Sequence, residues 1–482
     1  MVRLDSRSVF LATVLLTLAS PVLTLAIVST SVLGQIALLA LTFAASATSS
    51  SRPAAPDDNE ESGTLRFSVH IAAHEEPPAL VSRTLRAFAR QDGVTDFEVI
   101  VLDNNTSDPA TWKPVELLCR ELGPRFRFFH KEGVEGAKAG ALNIALQYTH
   151  PDTTHIVIVD ADYEVTPDFL SVVENEIRLR DDDFIQFPQA YRNTEGQAAG
   201  LSLELANYFM RHARLADGAD AMLLTGTLSV IRRSALLASG GWSGRTITED
   251  AELGLRLRRR GYRGRFVDKI VGRGVMPLDV GSLGLQRYRW AAGNMSTILT
   301  GFSGLRPRAA LHVVSQLTAW ANFGLPLAAG LIGGGLAMAL RIESGALGPM
   351  TSLAGMGLAI VYLSSVLPLI FAAASRSGSD LRTTLSALAA RIMLIVPSAA
   401  GTMDALLGLR GSFRRTPKDA EAASDSLDPI LPGLALGGLV LLATPALPPF
   451  ALLGAILLIL PYPFARATKA SLSAYRTSLQ TS

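Results

Sequence analysis

The chain has few of the residues that would make it a disulfide protein, a zinc protein or a nucleic-acid binder. One cysteine, Cys119, excludes any intrachain disulfide. A lone cysteine is most often a small buried apolar residue. The seven histidines show no Cys/His clustering, so a zinc site is not expected. Only 18% of residues are charged and the formal net charge is +2. That leaves no basic footprint for nucleic acid.

Apolar residues are what the chain has in excess: 49% of the total, with a mean hydropathy of +0.30. Its 482 residues are too many for one ordinary domain. Residues 8–47 are almost wholly apolar and read as a transmembrane hairpin broken near Ser29 and Thr30. Each half approaches the roughly 20 residues that cross a bilayer core. Arg3 and Arg7 before it and Arg52 after it place both ends in the cytoplasm. The rival reading, a signal peptide ending near residues 45–47, is disfavoured by the membrane segments that follow.

After residue 309 further apolar stretches cover 311–340, 352–374, 427–444 and 447–464. The stretch 385–409 is interrupted by Arg391, Pro397 and Asp404 and reads as an interfacial helix. The expectation is about six spans, two before and four after a soluble domain. The boundaries are a hairpin at 1–48, a linker at 49–64, a cytoplasmic domain at 65–303, a second membrane region at 304–466 and a cytoplasmic tail at 467–482.

The soluble part alternates strands (65–73, 97–102, 126–130, 155–159) with helices (79–91, 110–122, 137–148). This predicts an α/β domain with a mostly parallel sheet. Ligands of such sheets bind outside the carboxyl ends of the strands. Asp103 ends one strand, and Asp160 and Asp162 end another. Residues i and i+2 of an extended segment point the same way. Both carboxylates can therefore meet one divalent ion, and Mg²⁺ or Mn²⁺ suits such oxygens. A solvated loop is the bland alternative. Downstream, Thr248 is placed to cap a helix whose first turn holds Glu249 and Asp250. An Asp250 carboxylate beside Glu249 in a closed site would have the raised pKa of a general base. Gln286-Arg287-Tyr288-Arg289-Trp290 follows, on an amphipathic helix at the membrane surface.

These motifs, in this order and spacing, resemble the processive family 2 glycosyltransferases: the cellulose, hyaluronan, chitin and bacterial β-glucan synthases. Residues 102–106, 136–143 and 187–192 look like the bacterial β-glucan branch. The resemblance implies a GT-A type nucleotide-sugar-binding domain inserted between transmembrane helices. It implies inverting transfer from a UDP-sugar to a growing polysaccharide, in the lipid bilayer of the plasma (inner) membrane. Accessory export or regulatory subunits are implied as partners.

It also implies residue roles. Asp103 would hold the uridine or its ribose, with His74 and Glu75 near the uracil. Asp160 would contact the UDP side, Asp162 would do so through Mg²⁺ or Mn²⁺, and Lys138 would add charge at the diphosphate. Asp250 would be the base. Arg289, with Arg287 beside it, would grip diphosphate, and Trp290 would stack on a pyranose. Thr225, Gly226 and Thr227, with Glu249, Gln286 and Arg287, would line the acceptor side. Phe413, Thr416 and Lys418, within residues 410–420, resemble a gating-loop motif, with Arg415 where that motif has valine and Pro417 before the lysine. Gln316, Trp320, Asn322, Tyr362, Ser364 and Ser365 are candidates for a polymer path. The leading reading is a β-glucan synthase using UDP-glucose. The alternatives are another polysaccharide (chitin or hyaluronan-like), transfer of one sugar to a lipid, or a nucleotide-binding transporter or scaffold.

Overall fold

The computed structural model describes residues 5–48, 64–94, 96–192, 194, 198–374, 380–409, 430–445 and 447–480. Nearly all of the linker and the whole 410–420 segment, with Phe413, Thr416 and Lys418, lie outside the described residues.

Among the described residues there are nine strands, the longer ones formed by runs of β-branched and aromatic residues. They are β1 (Phe67–Ala73), β2 (Phe97–Asn104), β3 (Phe126–Lys131), β4 (His155–Ile158), β5 (Glu164–Val165), β6 (Phe184–Gln186), β7 (Ser229–Arg232), β8 (Gly264–Phe266) and β9 (Gly272–Arg273). Seven make one sheet in the order β3-β2-β1-β4-β7-β6-β8, and β5 pairs with β9. The pairs β1–β2, β1–β4, β2–β3 and β6–β8 are parallel. Only β7 is reversed within this sheet, running antiparallel to both β4 and β6. The sheet is therefore mixed but mostly parallel, as the alternation of strands and helices predicted. Val69, Ile71, Val99, Val101 and Val157 are fully buried, as continuous apolar runs between two helical layers require. Each such aliphatic side chain contributes about 1.5–3 kcal/mol.

Helix starts follow the prolines and the acids. Helices begin at Pro78 and Pro109, where a missing N–H costs nothing. Asp279 caps the helix Val280–Leu299, its Oδ1 accepting from the Ser282 N–H at 2.8 Å. The helix Glu249–Arg259 starts where expected, but Thr248 makes no side-chain cap. Three acids in its first turn (Glu249, Asp250 and Glu252) favour that end electrostatically instead.

The apolar ends differ from the six-span expectation. The N-terminal break falls at Ser20, not near Ser29. Pro21 opens the second helix, giving Ser6–Ala19 and Pro21–Ala47. The 311–340 stretch is likewise two helices, Pro307–Leu317 and Gly324–Ala339. Among the described residues, four helical segments are long and apolar enough to cross a membrane: Pro21–Ala47, Leu347–Ala374, Leu381–Leu406 and Pro449–Thr477. Ser6–Ala19, Gly324–Ala339 and Ile430–Leu442 are shorter. At about 1.5 Å per residue they fall short of a bilayer core. The segment read as interfacial is the pair Leu381–Met393 and Ile395–Leu406. It packs on the soluble-domain helices Ala199–Tyr208 and Val280–Leu299. Residues 467–480, read as a tail, continue the helix Pro461–Gln480 and bury Leu472 and Tyr475.

Candidate active site

The carboxyl ends of β1, β2 and β4 open on a cavity of about 400 Å³. His74, Asn104 and Asn105 form one wall, and His74 Nδ1 donates to the Asn104 carbonyl at 2.7 Å. Glu76 borders the cavity beside His74. Glu75 adopts a left-handed φ of 50° and its N–H donates to Thr106 Oγ1 at 2.9 Å. Asp103 is buried behind this wall. His130 Nδ1 donates to its Oδ1 at 2.8 Å and Thr106 Oγ1 to its Oδ2 at 2.9 Å. Burial pushes the Asp103 pKa up, against those two hydrogen bonds. The carboxylate thus fixes the loop that carries Asn104, Asn105 and Thr106.

Lys138 reaches across the cavity floor from the start of the helix Ala137–Tyr148. Its Nζ lies 2.5 Å from Asp160 Oδ1, 3.1 Å from the Gly226 carbonyl and 3.9 Å from Glu249 Oε1. Burial works against the ammonium, but Asp160, Glu249 and Asp250 outweigh it and hold its pKa above the usual lysine value. Asp162 is buried and its Oδ2 accepts from the Val275 N–H at 3.3 Å. Both Asp160 and Asp162 border the cavity. Among the described residues, no three His, Cys, Asp or Glu side chains form a metal cage. Two carboxylates beside a cavity suit Mg²⁺ or Mn²⁺, which take one or two carboxylates and complete their shell with phosphate oxygens and water.

Asp250 stands on the opposite wall, next to Glu249. Burial, and then the Glu249 charge, push its pKa from 3.8 up to about 7. Gly226 makes room for it. A β-carbon there would lie 3.0 Å from Asp250 Oδ2, and its φ is +92°. Gly293 lets the helix Val280–Leu299 close on this segment, since a β-carbon there would lie 2.5 Å from Thr248. That helix presents Gln286, Arg289 and Trp290 to the cavity. Burial pulls the Arg289 pKa down, while Glu249, Asp160 and Asp250 oppose the shift.

Trp290 also borders a narrow passage of about 50 Å³, which Asp250, Tyr208 and Trp320 line as well. The Trp290 and Trp320 rings lie 5.5 Å apart, and Tyr208 stacks on Trp320 at 5.4 Å. Arg287 is placed elsewhere. Its guanidinium is 2% exposed and grips Glu204 with two hydrogen bonds of 2.8 Å. Arg391 reaches the same carboxylate at 2.9 Å. Arg287 ties three helices together and does not border the cavity that Asp160 and Asp250 line. Thr225 and Gly226 border it, and Thr225 the passage too. Thr227 turns inward, its Oγ1 accepting from the Asp160 N–H at 3.0 Å. Gln186 holds this loop, accepting from the Thr225 N–H at 2.9 Å and donating to the Thr227 carbonyl at 2.8 Å.

Sequence reasoning missed His130, Glu76, Glu204 and Tyr208. His130, Glu204 and Tyr208 meet Asp103, Arg287 and Trp320, partners remote in sequence that no local pattern marks. Among the polymer-path candidates, Trp320 lines the passage, and Gln316 does so while donating to the Ala221 carbonyl at 2.7 Å. Asn322, Ser364 and Ser365 border a wider cavity beyond it. Tyr362 donates to the Leu457 carbonyl, in helix packing.

The mixed sheet and the carboxylates at its edge define a GT-A type α/β domain. The chain carries a glycosyltransferase family 2 domain: residues 68–238 match Glycosyl transferase family 2, and residues 155–375 match Glycosyl transferase family group 2. Glucomannan 4-beta-mannosyltransferase 7 of Arabidopsis thaliana is 30% identical over 202 residues, 40% of this chain and 36% of the relative. Beta-monoglucosyldiacylglycerol synthase of Trichormus variabilis is 28% identical over 249 residues, 50% of this chain and 51% of the relative. The chain spans about a third to a half of these relatives' length. Mannosyltransferase PcManGT from Pyrobaculum calidifontis, solved with GDP-Man and Mn²⁺, shares the fold. Its TM-score is 0.54 at 18% identity, covering 80% of this chain and 98% of that one.

Proposed function

We propose that the chain is an inverting hexosyltransferase that builds a β-glucan from UDP-glucose at the cytoplasmic face of a membrane and passes it outward. The observation that carries this is the position of Asp250, with a carboxylate pKa near 7, where the donor cavity meets the tryptophan-lined passage. An acceptor hydroxyl arriving past Trp290 gives its proton to Asp250 as its oxygen bonds the anomeric carbon. The bond to the diphosphate breaks on the opposite face, which inverts the centre in one displacement. Lys138 and Arg289 face the departing charge. Asp162, with Asp160 beside it, would hold Mg²⁺ or Mn²⁺, which neutralises diphosphate charge.

The relatives named as 4-beta-mannosyltransferases favour a second reading, a β-mannosyl product from GDP-mannose. The test is to offer purified protein UDP-glucose, UDP-N-acetylglucosamine and GDP-mannose with each metal, then analyse the linkage. A long β-glucan from UDP-glucose supports the first reading. A mannan supports the second, and nucleotide release with no glycoside product sinks both.

A further inference from the structure

Behind Trp320 lies a second cavity, of about 740 Å³, outside the sugar-donor site. Its described walls come from Pro21–Ala47, Leu347–Ala374, Leu381–Leu406 and the segment from Asn207 to Leu215. Gln35 Nε2 donates to Ser364 Oγ at 2.9 Å where the first two of these helices touch. Toward their C-terminal ends both helices face the cavity with large apolar side chains that also reach the outer surface. Phe43 is 61% exposed, Leu363 53% and Phe371 66%. Both helices are long enough to sit in a bilayer, so this side of the cavity opens toward lipid.

The inner wall is cationic. Arg211, Arg214, Arg287 and Arg391 line it, and its described lining contains no Asp or Glu. Three of the four are accounted for: Arg287 and Arg391 share Glu204, and Arg214 pairs with Asp268. Arg211 has no carboxylate partner among the described residues, and its Nε is buried without a hydrogen bond. One carboxylate, Glu204, thus serves two buried guanidiniums, and a third stands beside them unpaired. A half-buried guanidinium is costly unless an anion meets it. A guanidinium meets the phosphate of an anionic headgroup without competition, whereas in a zwitterionic headgroup the lipid's own ammonium already offsets that charge.

We propose that this cavity holds the phosphate headgroup of an anionic phospholipid, bound through Arg211, with its acyl chains between Pro21–Ala47 and Leu347–Ala374. The bilayer is the source because the opening is lined by exposed apolar side chains, whereas a free phosphate would need no such portal. The site goes beyond the sugar-transfer reading and stands whatever the donor sugar is; a lipid seated there takes Asn322, Ser364 and Ser365 out of the polymer path.

The test uses the full chain in detergent, equilibrated with equal amounts of phosphatidylglycerol and phosphatidylcholine, with retained lipid measured by native mass spectrometry. The expected result is about tenfold preference for phosphatidylglycerol, on the order of one added ion pair. Arg211→Gln loses that preference, while Arg120→Gln, an exposed change on the soluble domain, keeps it. Inorganic phosphate at millimolar concentration leaves the retained lipid in place. Equal retention of the two lipids by the wild-type chain overturns the proposal. So does undiminished preference in Arg211→Gln, or displacement of the lipid by phosphate, which marks a free-anion site.

Discussion

Lys138 Nζ lies 2.5 Å from Asp160 Oδ1 across the donor cavity. The same ammonium also faces Glu249 and Asp250. Lys138→Met therefore removes a cation from beside three carboxylates and leaves Arg289 to face them. Affinity for UDP should fall about tenfold or more, a loss of about 1.4 kcal/mol per tenfold. Lys138 also holds the Asp250 pKa down, so the alkaline shift of the rate profile should increase. Calorimetric titration with UDP and a pH–rate profile check both parts. Unchanged affinity together with an unchanged profile would show that Lys138 only pins the loop at Gly226.

Gly226 sits at φ +92° with its missing β-carbon 3.0 Å from Asp250 Oδ2. Gly226→Ala forces a side chain into left-handed backbone, which costs about 1–3 kcal/mol. It also presses on the carboxylate. The expected outcome is a modest drop in thermal midpoint and a large drop in kcat with little change in UDP affinity. Equal losses of kcat and UDP binding would instead mean that the whole loop has moved.

Local order was legible where one pattern ruled. The helix at 137–148 was read to the residue, because an apolar run ends at its strand and Gly136 precedes it. The Asp250 helix was placed by its acids. The N-terminal break was misread because the isolated polar residues Thr17, Ser20 and Thr24 stand out less than the adjacent pair Ser29 and Thr30. Pro21, at the first helical turn, was the signal, since proline fits there and not in a helix interior. Arg287 was misread for another reason. Its partner Glu204 lies 83 residues away, and Arg391, 104 residues beyond Arg287, joins them only after folding. Nothing local separates a diphosphate-gripping arginine from one buried against a remote carboxylate.

That three-residue cluster makes a stability prediction. Burial alone would raise the Glu204 pKa, but Arg287 and Arg391 overrule it and hold it down to about 2. Glu204→Gln strands two buried guanidiniums, a change worth about 3–5 kcal/mol. The thermal midpoint in detergent should drop steeply. Adding Arg287→Met to that variant removes one stranded charge and should recover part of the loss. A double variant less stable than the single one counts against the buried ion-pair account.

Asp250 links rate and stability to pH with opposite signs. Its folded pKa is raised from 3.8 to about 7 by burial and by Glu249. As a base it acts only when ionised, so kcat/KM should rise with pH and level off above about 7. Stability runs the other way. A carboxyl whose pKa is raised on folding favours the fold below its unfolded value, and that contribution disappears as pH climbs through the folded value. Asp250→Asn cannot ionise. At pH 5 it should already melt somewhat above the wild-type temperature, and at pH 8 further above it, by up to a few kcal/mol at about 1.4 kcal/mol per pH unit between 3.8 and about 7. Its turnover should fall by about 10²–10⁴, with UDP binding retained. Thermal midpoints of both proteins across pH 5–8, measured beside initial rates, test the two signs together. A variant that is equally active, or one that gains no stability at pH 8, would remove Asp250 from the role of base.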